Sequence, residues 1–280
     1  MSNFLRRTLT AVWIVVFVLG GFWLHPVSFF LTGLIIVAGT QYEYYSMIKS
    51  AGIHPQTAGG IIAGLAIFII SALVAAGKLQ GKYFLALIPL LLALMIGELF
   101  RKDEKPFDSL AHTFLSLIYI AAPFSLFPFA AFSMTGLKSL IGHPDIVFSP
   151  GIIVGFFLVL WANDTGAYLT GVSFGRHRLM ERISPKKSWE GFLGGIVSAL
   201  FAAWLLGNWF GVLTKSQWMA AAVIISVAGT LGDLFESMLK RSIGVKDSGS
   251  IMPGHGGFLD RFDSALFAFP LLYLFLSLFG

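Results

Sequence analysis

Long apolar runs, separated by short polar segments, recur from one end of this 280-residue chain to the other. A helix that crosses a bilayer needs roughly 20 mostly apolar residues. Nine runs meet this requirement, at residues 8–24, 27–47, 58–76, 82–98, 110–134, 150–174, 191–213, 217–239 and 263–280. The first run is short and ends at His25-Pro26, so its assignment is the least secure. The pattern predicts an all-α polytopic membrane protein with about nine transmembrane helices.

Composition supports a lipid environment. Charged residues make up 12% of the chain, whereas a soluble domain carries about 25%. So few charges cannot cover a water-facing surface. The chain has no Cys, which excludes disulfides and Cys-ligated zinc. The net charge of +5 is better explained by basic cytoplasmic loops than by binding to nucleic acid.

The distribution of Lys and Arg predicts the orientation in the membrane. Loops after even-numbered runs share one side, and that side collects thirteen of the nineteen cations: Lys49, Arg101, Lys102, Lys105, Arg176, Arg178, Arg182, Lys186, Lys187, Lys240, Arg241, Lys246 and Arg261. Cytoplasmic loops carry an excess of Lys and Arg. We therefore expect the even-numbered loops to be cytoplasmic. Arg6 and Arg7 fit this topology poorly, since it places the N-terminus outside.

Domain organisation follows from where the polar segments lie. The two longest, 175–190 and 240–262, both fall in the C-terminal half. We expect residues 1–149 to form N-terminal transmembrane helices and residues 150–280 to form catalytic helices with polar loops. Both parts should belong to one integrated membrane domain. The first run is expected to be retained, because it lacks a clear small-residue cleavage site.

The stretch GTLGDLFESMLKR, residues 229–241, carries a polar stripe on an apolar helix. Asp233, Glu236, Ser237 and Lys240 lie three, four and seven residues apart, so they share one helix face. Glu236 and Lys240 can pair at i,i+4, which is a purely structural use. Asp233 has no cation one turn further along. It therefore needs a metal ion or a base from elsewhere in the chain.

The stretch GHGGFLDRFDS, residues 254–264, combines acids, bases and glycines. Asp260 and Asp263 share a face at the start of the last run. The preceding glycines let the backbone approach a ligand, and their N–H groups can face an anion near a helix N-terminus. His255 has two readings that the sequence leaves open. It acts as a general acid or as a hydrogen-bond donor to phosphate, or it only orients the loop.

The stretch WANDTGAYLTGVSFGRHRLMERISPKKSWEG, residues 161–191, is the third polar region. Asp164 and Tyr168 are four residues apart on one face of the sixth run. Five cations follow, and Ser184 or Ser188 is suited to cap the next helix. A basic loop that touches anionic lipid heads would explain the cations. It would not explain the polar pair Asn163–Asp164 inside a span.

Together these stretches predict one site, since both polar segments follow even-numbered runs. Carboxylates with phosphate oxygens form the usual environment of Mg²⁺. The expected ligand is therefore a nucleotide or another polyphosphate with Mg²⁺, and the second substrate should be a lipid. The chain contains no Walker A sequence, no G-x-G-x-x-G and no H-E-x-x-H, so P-loop, Rossmann and zincin interpretations fit poorly.

The stretch SMLKRSIGVKDSGSIMPGHGGFLDRFDS, residues 237–264, resembles the signature of the phosphatidate cytidylyltransferases, also called CDP-diacylglycerol synthases. NDTGAYLTGVSFGRH and ISPKKSWEGFLGG are similar to the middle region of that family. Met252 departs from the pattern, which expects Leu, Ile or Phe there. The positions in register are Ser237, Lys240, Arg241, Lys246, Asp247, Pro253, His255, Gly256, Gly257, Asp260, Arg261 and Asp263.

The resemblance implies transfer of CMP from CTP to phosphatidic acid, giving CDP-diacylglycerol and pyrophosphate. It also implies dependence on Mg²⁺ with a second metal ion, a multi-pass fold in the cell (inner) membrane, and a homodimer. Asp233 and Asp260 are expected to bind metal, with Asp263 and Asp164 as further or supporting ligands. The residues expected to bind substrate are Asp164, Lys186, Lys187, Ser188, Gly256 and Gly257. The expected catalytic residues are Lys240, Arg241, Lys246, Asp247, His255 and Arg261.

Two other functions were weighed against this one. An ion-coupled transporter also keeps acids inside membrane spans, but it places them near the midplane and often carries internal repeats. A CTP-dependent lipid-alcohol kinase would need a group that deprotonates a hydroxyl. The acids here cluster toward one interface, and no repeat is evident.

Overall fold

The computed structural model describes residues 3–134, 146–245, 249 and 257–279, and it is dominated by helices. In the N-terminal half they are α1 (Asn3–Trp23), α2 (Pro26–Ser50), α3 (Thr57–Ala75), α4 (Leu87–Leu99), α5 (Pro106–Ser116), α6 (Ala122–Ser125) and α7 (Phe127–Ala131). In the C-terminal half they are α8 (Gly151–Phe174), α9 (Trp189–Trp209), α10 (Lys215–Ser242) and α11 (Leu259–Phe279).

Seven helical segments in these described ranges are long and apolar enough to cross a bilayer. They are Thr57–Ala75, Gly81–Leu99, Pro106–Ala131, Gly151–Phe174, Trp189–Trp209, Lys215–Ser242 and Leu259–Phe279. They match the last seven of the nine predicted runs, so the prediction of an all-α polytopic membrane protein is confirmed. In α1 the segment Val12–Trp23 is apolar, but it is shorter than these seven segments. The longer α2 is not among the seven, and it carries the charged Glu43 and Lys49.

The segment Pro106–Ala131 is an interrupted helix. A π-helical turn, Leu117–Ala121, joins α5 to the short α6 and α7. Pro123 and Pro128 have no N–H to donate, so the regular hydrogen-bond ladder cannot run through either position. Such insertions and prolines are the usual causes of local helix distortion.

Two small antiparallel hairpins accompany the helices, and the sequence patterns did not predict them. β1 (Phe132–Met134) pairs with β2 (Ile146–Phe148). β3 (Arg178–Met180) pairs with β4 (Ser184–Ser188), so the basic segment between α8 and α9 is ordered as a hairpin. The Glu190 carboxylate accepts hydrogen bonds from the backbone N–H of Arg176 and of His177, at 3.1 and 3.2 Å. These bonds fasten the start of the hairpin to the first turn of α9.

The described residues group into two compact units. The first comprises Met1–Pro150 with Ile243–Arg261, and the second comprises Gly151–Ser242 with Phe262–Gly280. The division after Pro150 lies next to the boundary expected from the sequence. Residues 243–261 follow α10 in the chain but belong to the first unit, which the order of residues in the sequence does not reveal. That both halves form one integrated membrane domain stays a prediction.

In the first unit a buried acid meets the start of the last helix. Glu43 of α2 is almost fully buried, and its Oε2 accepts a hydrogen bond of 3.0 Å from the Leu259 N–H. The first N–H groups of a helix have no partner inside the helix, and an acid is favourable there. Glu43 therefore stabilises the beginning of α11 from 216 residues away.

In the second unit, glycines let helices approach closely. A Cβ at Gly155 would collide with the Trp218 ring, and one at Gly166 would collide with Ser198. A Cβ at Gly195 would lie 2.8 Å from the Asn163 Oδ1. Small residues at interfaces are how membrane helices gain packing contacts, because lipid offers no hydrophobic driving force between them.

The tightest backbone approach joins α10 and α11. A Cβ at Gly232 would lie 2.6 Å from the Asp263 carbonyl oxygen and 3.2 Å from the Ser264 Cα. A Cβ at Gly229, one turn earlier, would lie 3.5 Å from the Ser264 Cβ. The two glycines thus define the face of α10 that lies against α11.

Substituting Gly232 by Ala should destabilise the protein. In an open helix, Gly→Ala stabilises by roughly 0.5–1 kcal/mol. At Gly232 the new methyl group meets backbone that cannot rotate away, and overpacking costs about 1–3 kcal/mol. We expect a lower midpoint of thermal unfolding in detergent.

Gly20→Ala is the matched control, because the nearest atom to its Cβ is the Leu24 Cδ1 at 4.0 Å. This variant should unfold at the wild-type temperature or above. A Gly232→Ala protein as stable as Gly20→Ala would show that the contact between α10 and α11 is not tight.

Candidate active site

Three carboxylates converge within the second unit. Asp233 and Glu236 lie one turn apart on α10, and Asp263 lies in the second turn of α11. One oxygen from each lies within 4.8 Å of the others. Gly232 allows this, because it brings the two helices into backbone contact beside the acids.

Two lysines pair with two of the three acids of the cluster. Lys187 Nζ, from β4, lies 2.6 Å from Asp233 Oδ2. Lys240 Nζ lies 2.6 Å from Glu236 Oε2, as the i,i+4 spacing predicted. The Ser237 hydroxyl also donates to Asp233 Oδ1 at 3.3 Å. Asp233 therefore has the base from elsewhere in the chain that its sequence context demanded.

The cluster is largely removed from solvent. Glu236 is 1% exposed and Asp263 is 8% exposed. Asp263 is also repelled by the charges of Asp233, Glu236 and Asp164. Buried like charges are costly unless cations or a metal compensate them. The three acids are therefore favourable together only where further positive charge lies next to them.

Asp164 approaches this region from α8. The neighbouring Asn163 is buried, and its amide Nδ2 donates to Asp164 Oδ1 at 3.3 Å. Asp164 itself is exposed at the helix surface. Its predicted role in binding substrate stays a prediction, and the structure places it near enough to Asp263 to interact electrostatically.

The basic hairpin places its predicted residues differently. Lys187 is half-buried against Asp233, whereas Lys186 is exposed. Ser188 is buried as the N-cap of α9, and its hydroxyl accepts from the Gly191 N–H at 3.1 Å. Of the two serines proposed as helix caps, the structure selects Ser188. That bond occupies its hydroxyl as an acceptor, and the predicted substrate contact is untested.

The glycine-rich segment is described only at its end. Gly257 donates its N–H to Asp260 Oδ2 at 3.0 Å, so Asp260 closes the turn that leads into α11. Asp260 is not one of the three clustered acids, and its expected role as a metal ligand stays a prediction. Arg241 and Arg261 are exposed. Lys246, Asp247, His255 and Gly256 lie outside the described residues.

The donor set fits a hard divalent cation. Asp233, Glu236 and Asp263 each offer a carboxylate oxygen within the spacing that one ion can bridge. Oxygen donors of this kind suit Mg²⁺, which binds proteins through a few carboxylates and completes its shell with water and phosphate oxygens. Of these acids, Asp233 and Asp263 were expected as ligands.

The sequence interpretation did not assign Glu236 to a metal. Its spacing to Lys240 offered a sufficient structural explanation, and that pair does form. Its three-residue spacing from Asp233 puts both carboxylates on one helix face, as the sequence showed, but that spacing alone does not assign Glu236 to a metal. Only the position of Asp263 on the adjoining helix shows that this face carries a three-acid site.

Comparison with known proteins places this geometry in a family. A model described as "Cytidylyltransferase family" matches residues 5–279. A Staphylococcus haemolyticus protein named phosphatidate cytidylyltransferase is 34% identical over 96% of this chain and 98% of its own length. A Staphylococcus saprophyticus protein of the same name is 36% identical over the same shares. A Staphylococcus aureus protein of that name is 50% identical over 43% of this chain and 46% of its own.

Proposed function

This chain belongs to the cytidylyltransferase family, and we propose that it transfers CMP from CTP to phosphatidic acid, giving CDP-diacylglycerol and pyrophosphate. It is thus a nucleotidyltransferase of phospholipid synthesis. The observation that carries the proposal is the three-acid cluster with two lysines inside a membrane-spanning unit. The full-length similarity to proteins named for this reaction supports it.

The reaction balances without an added oxidant or base. An anionic phosphate oxygen of phosphatidic acid forms a bond to the α-phosphorus of CTP. The bond from that phosphorus to the bridging oxygen breaks, and pyrophosphate leaves with the electron pair. Because the nucleophile is already ionised near neutral pH, no side chain has to remove a proton. The barrier lies in bringing two anions together.

The chain's own charges are suited to lower that barrier. Lys187 and Lys240 each hold an ammonium group 2.6 Å from an acid of the cluster, so both are in place to contact phosphate oxygens bound there. Positioning and preorganised charge supply much of the catalysis in reactions of this kind. The burial of Glu236 and Asp263 strengthens these interactions, because water screens them less.

We propose Mg²⁺ as the cofactor, held by Asp233, Glu236 and Asp263, with a second ion as the family resemblance implies. When bound, Mg²⁺ would neutralise phosphate charge and orient the triphosphate. Asp260 and Asp164 are the further candidate ligands from the sequence.

The competing functions receive no support. Neither the family match nor the names of the similar proteins indicate a transporter or a lipid-alcohol kinase. Two acids of the cluster also pair with lysines, one in the last turn of α10 (Lys240) and one in β4, just before α9 (Lys187). Such an arrangement suits a phosphate-binding site at the membrane interface.

Orientation and assembly are part of the proposal. We place the protein in the cell (inner) membrane, and the family resemblance implies a homodimer. The loops after the even-numbered runs are placed in the cytoplasm, because those loops carry the excess of Lys and Arg. The chain has no Cys, so a single Cys at exposed Arg178 should react with an impermeant thiol reagent only from the cytoplasmic side. Light scattering of the detergent-solubilised chain measures the oligomeric state.

The decisive assay measures CMP transfer from labelled CTP to phosphatidic acid in detergent micelles with Mg²⁺. Asp263→Asn should lower kcat/KM by about 100-fold or more, the scale of losing one preorganised charged group. Asp260→Asn, run beside it, tests the acid that the structure places outside the cluster. Asp108→Asn, at an exposed position of α5, is the control.

Each result has a distinct meaning. No transfer by folded wild-type protein with any divalent ion would contradict the proposed reaction. Full activity of Asp263→Asn would leave the proposed reaction standing but would show that the three-acid cluster is not its metal site. A loss only in Asp260→Asn would move the metal site toward the turn that precedes α11.

Replacing Lys187 should have opposite effects on the use of Mg²⁺ and of CTP. Its ammonium competes with a metal for Asp233, so Lys187→Gln should lower the Mg²⁺ concentration needed for half-maximal activity. The same change removes a phosphate contact, so kcat/KM for CTP should fall by about 10-fold or more. Titrating Mg²⁺ and CTP separately measures both. Lys215→Gln serves as control, and parallel changes in the two constants would contradict the pairing.

A further inference from the structure

A second basic site lies in the first unit, where two short loops meet. Residues 51–56 join α2 to α3, and residues 100–105 join α4 to α5. The Arg101 guanidinium connects them, because its Nη2 donates to the His54 carbonyl oxygen at 2.7 Å. Neither loop contributes to the three-acid cluster. We call this place the loop site.

The loop site contains room for a ligand. One cavity of about 510 Å³ is lined by Gly52, His54, Arg101, Lys102, Asp103, Glu104 and Lys105. An adjoining cavity of about 620 Å³ shares His54 and Arg101 and adds Lys49, Pro55, Gln56, Thr57, Ala58 and Gly59. Because they share two lining residues, the two cavities adjoin at Arg101, and we call them together the groove.

Arg101 is held firmly at the centre of this groove. Its Nη1 donates to both oxygens of the buried Glu98, at 2.8 and 3.2 Å. Glu98 also accepts from Gln56 Nε2 at 2.5 Å, which ties the acid to the other loop. A guanidinium fixed in this way is preorganised to contact an anion, since little rotamer freedom remains to be lost.

Of the two acids that line the groove, Asp103 and Glu104, the first is already engaged by the protein. Asp103 accepts from the Ser109 hydroxyl at 2.6 Å and from the Lys105 N–H at 3.1 Å. These hydrogen bonds hold the pKa of Asp103 below its usual range. Lys49, Lys102 and Lys105 are exposed, and with Arg101 they bring four positive charges to the groove against the two negative charges of Asp103 and Glu104. The groove therefore favours an anion.

Exposed apolar side chains flank the groove. Phe100 and Phe107 bracket the charged loop, and each is 83% exposed. Leu99 at the end of α4 is nearly as exposed. Aromatic residues next to Lys and Arg at the ends of spans are typical of the membrane–water interface. A ligand there would meet cations and acyl chains together.

We propose that the loop site binds the phosphate head group of an anionic membrane lipid. Arg101 would contact the phosphate, and Lys49, Lys102 and Lys105 would surround it. The exposed Phe100 and Phe107 would lie against the lipid chains. This site is separate in residues from the three-acid cluster. It does not depend on the reaction that the cluster performs.

The test uses a fluorescent reporter beside the groove. Ala51 is exposed, and the chain has no other thiol once it is changed to Cys. The full chain, labelled at Ala51→Cys with an environment-sensitive dye, is titrated in detergent micelles with phosphatidic acid or phosphatidylcholine. CTP is left out, so the result is independent of catalysis. We expect a saturable change with phosphatidic acid only.

Charge-matched variants identify the residues responsible. The triple change Lys49→Gln, Lys102→Gln and Lys105→Gln removes only exposed side chains, so it should not unfold the protein. It should raise the mole fraction of phosphatidic acid needed for half-saturation by at least about 10-fold, since each basic residue near an anionic lipid contributes substantially. The control, Lys78→Gln with Lys82→Gln and Lys215→Gln, should titrate like the unsubstituted labelled chain.

Separate titrations distinguish a lipid from a soluble phosphate. Inorganic phosphate and CTP are added to micelles without anionic lipid. If either gives the same saturable change, the lipid is the wrong source of the phosphate. If the triple variant and its control respond equally to phosphatidic acid, or the labelled chain does not respond at all, the site itself is overturned.

Discussion

The backbone contact at Gly232 is the constraint on which the candidate active site depends. With only a hydrogen on its Cα, Gly232 lets the Asp263 carbonyl of α11 approach where a methyl group would lie 2.6 Å away. The side chains of Asp233, Glu236 and Asp263 then fall within 4.8 Å of one another. A wider separation of the two helices would part Asp263 from Asp233 and Glu236 and leave the acids in or near lipid without a shared site. Close packing is thus what converts a costly set of charges into a metal-binding geometry.

Charge balance then decides the form of the rest of the second unit. Acids buried at the depth of Glu236 are tolerated only when cations meet them. Lys240 comes from the same helix, one turn away, and needs no further folding to arrive. Lys187 comes from β4, and it reaches Asp233 because the basic segment is folded as a hairpin and secured through Glu190 and Ser188 to the start of α9. The hairpin is therefore part of the site's electrostatics.

Buried acids in the first unit are also matched by hydrogen-bond donors or cations, but they serve other purposes. Glu43 satisfies the backbone at the beginning of α11, and Glu98 fixes the guanidinium of Arg101. Both acids lie within apolar runs of the sequence. Their positions show that an acid kept in such a run has several uses: it can complete a helix terminus, orient a cation or join a cluster. Sequence position alone does not distinguish these uses, because all three depend on what lies opposite.

The sequence by itself determined the membrane class, seven spans that the structure retains, the polar stripe on α10 and the family resemblance. These are local properties: an apolar run of sufficient length must be helical in lipid, and helical periodicity fixes which side chains share a face. Even the pairing of Glu236 with Lys240 follows from that periodicity. Only the tertiary structure decided that Lys187 meets Asp233, that Glu236 joins Asp263, and that Asp260 closes a turn with Gly257. The two hairpins and the π-helical turn also escaped the patterns. These features depend on distances between elements far apart in the chain, and such distances are set by how closely the helices pack.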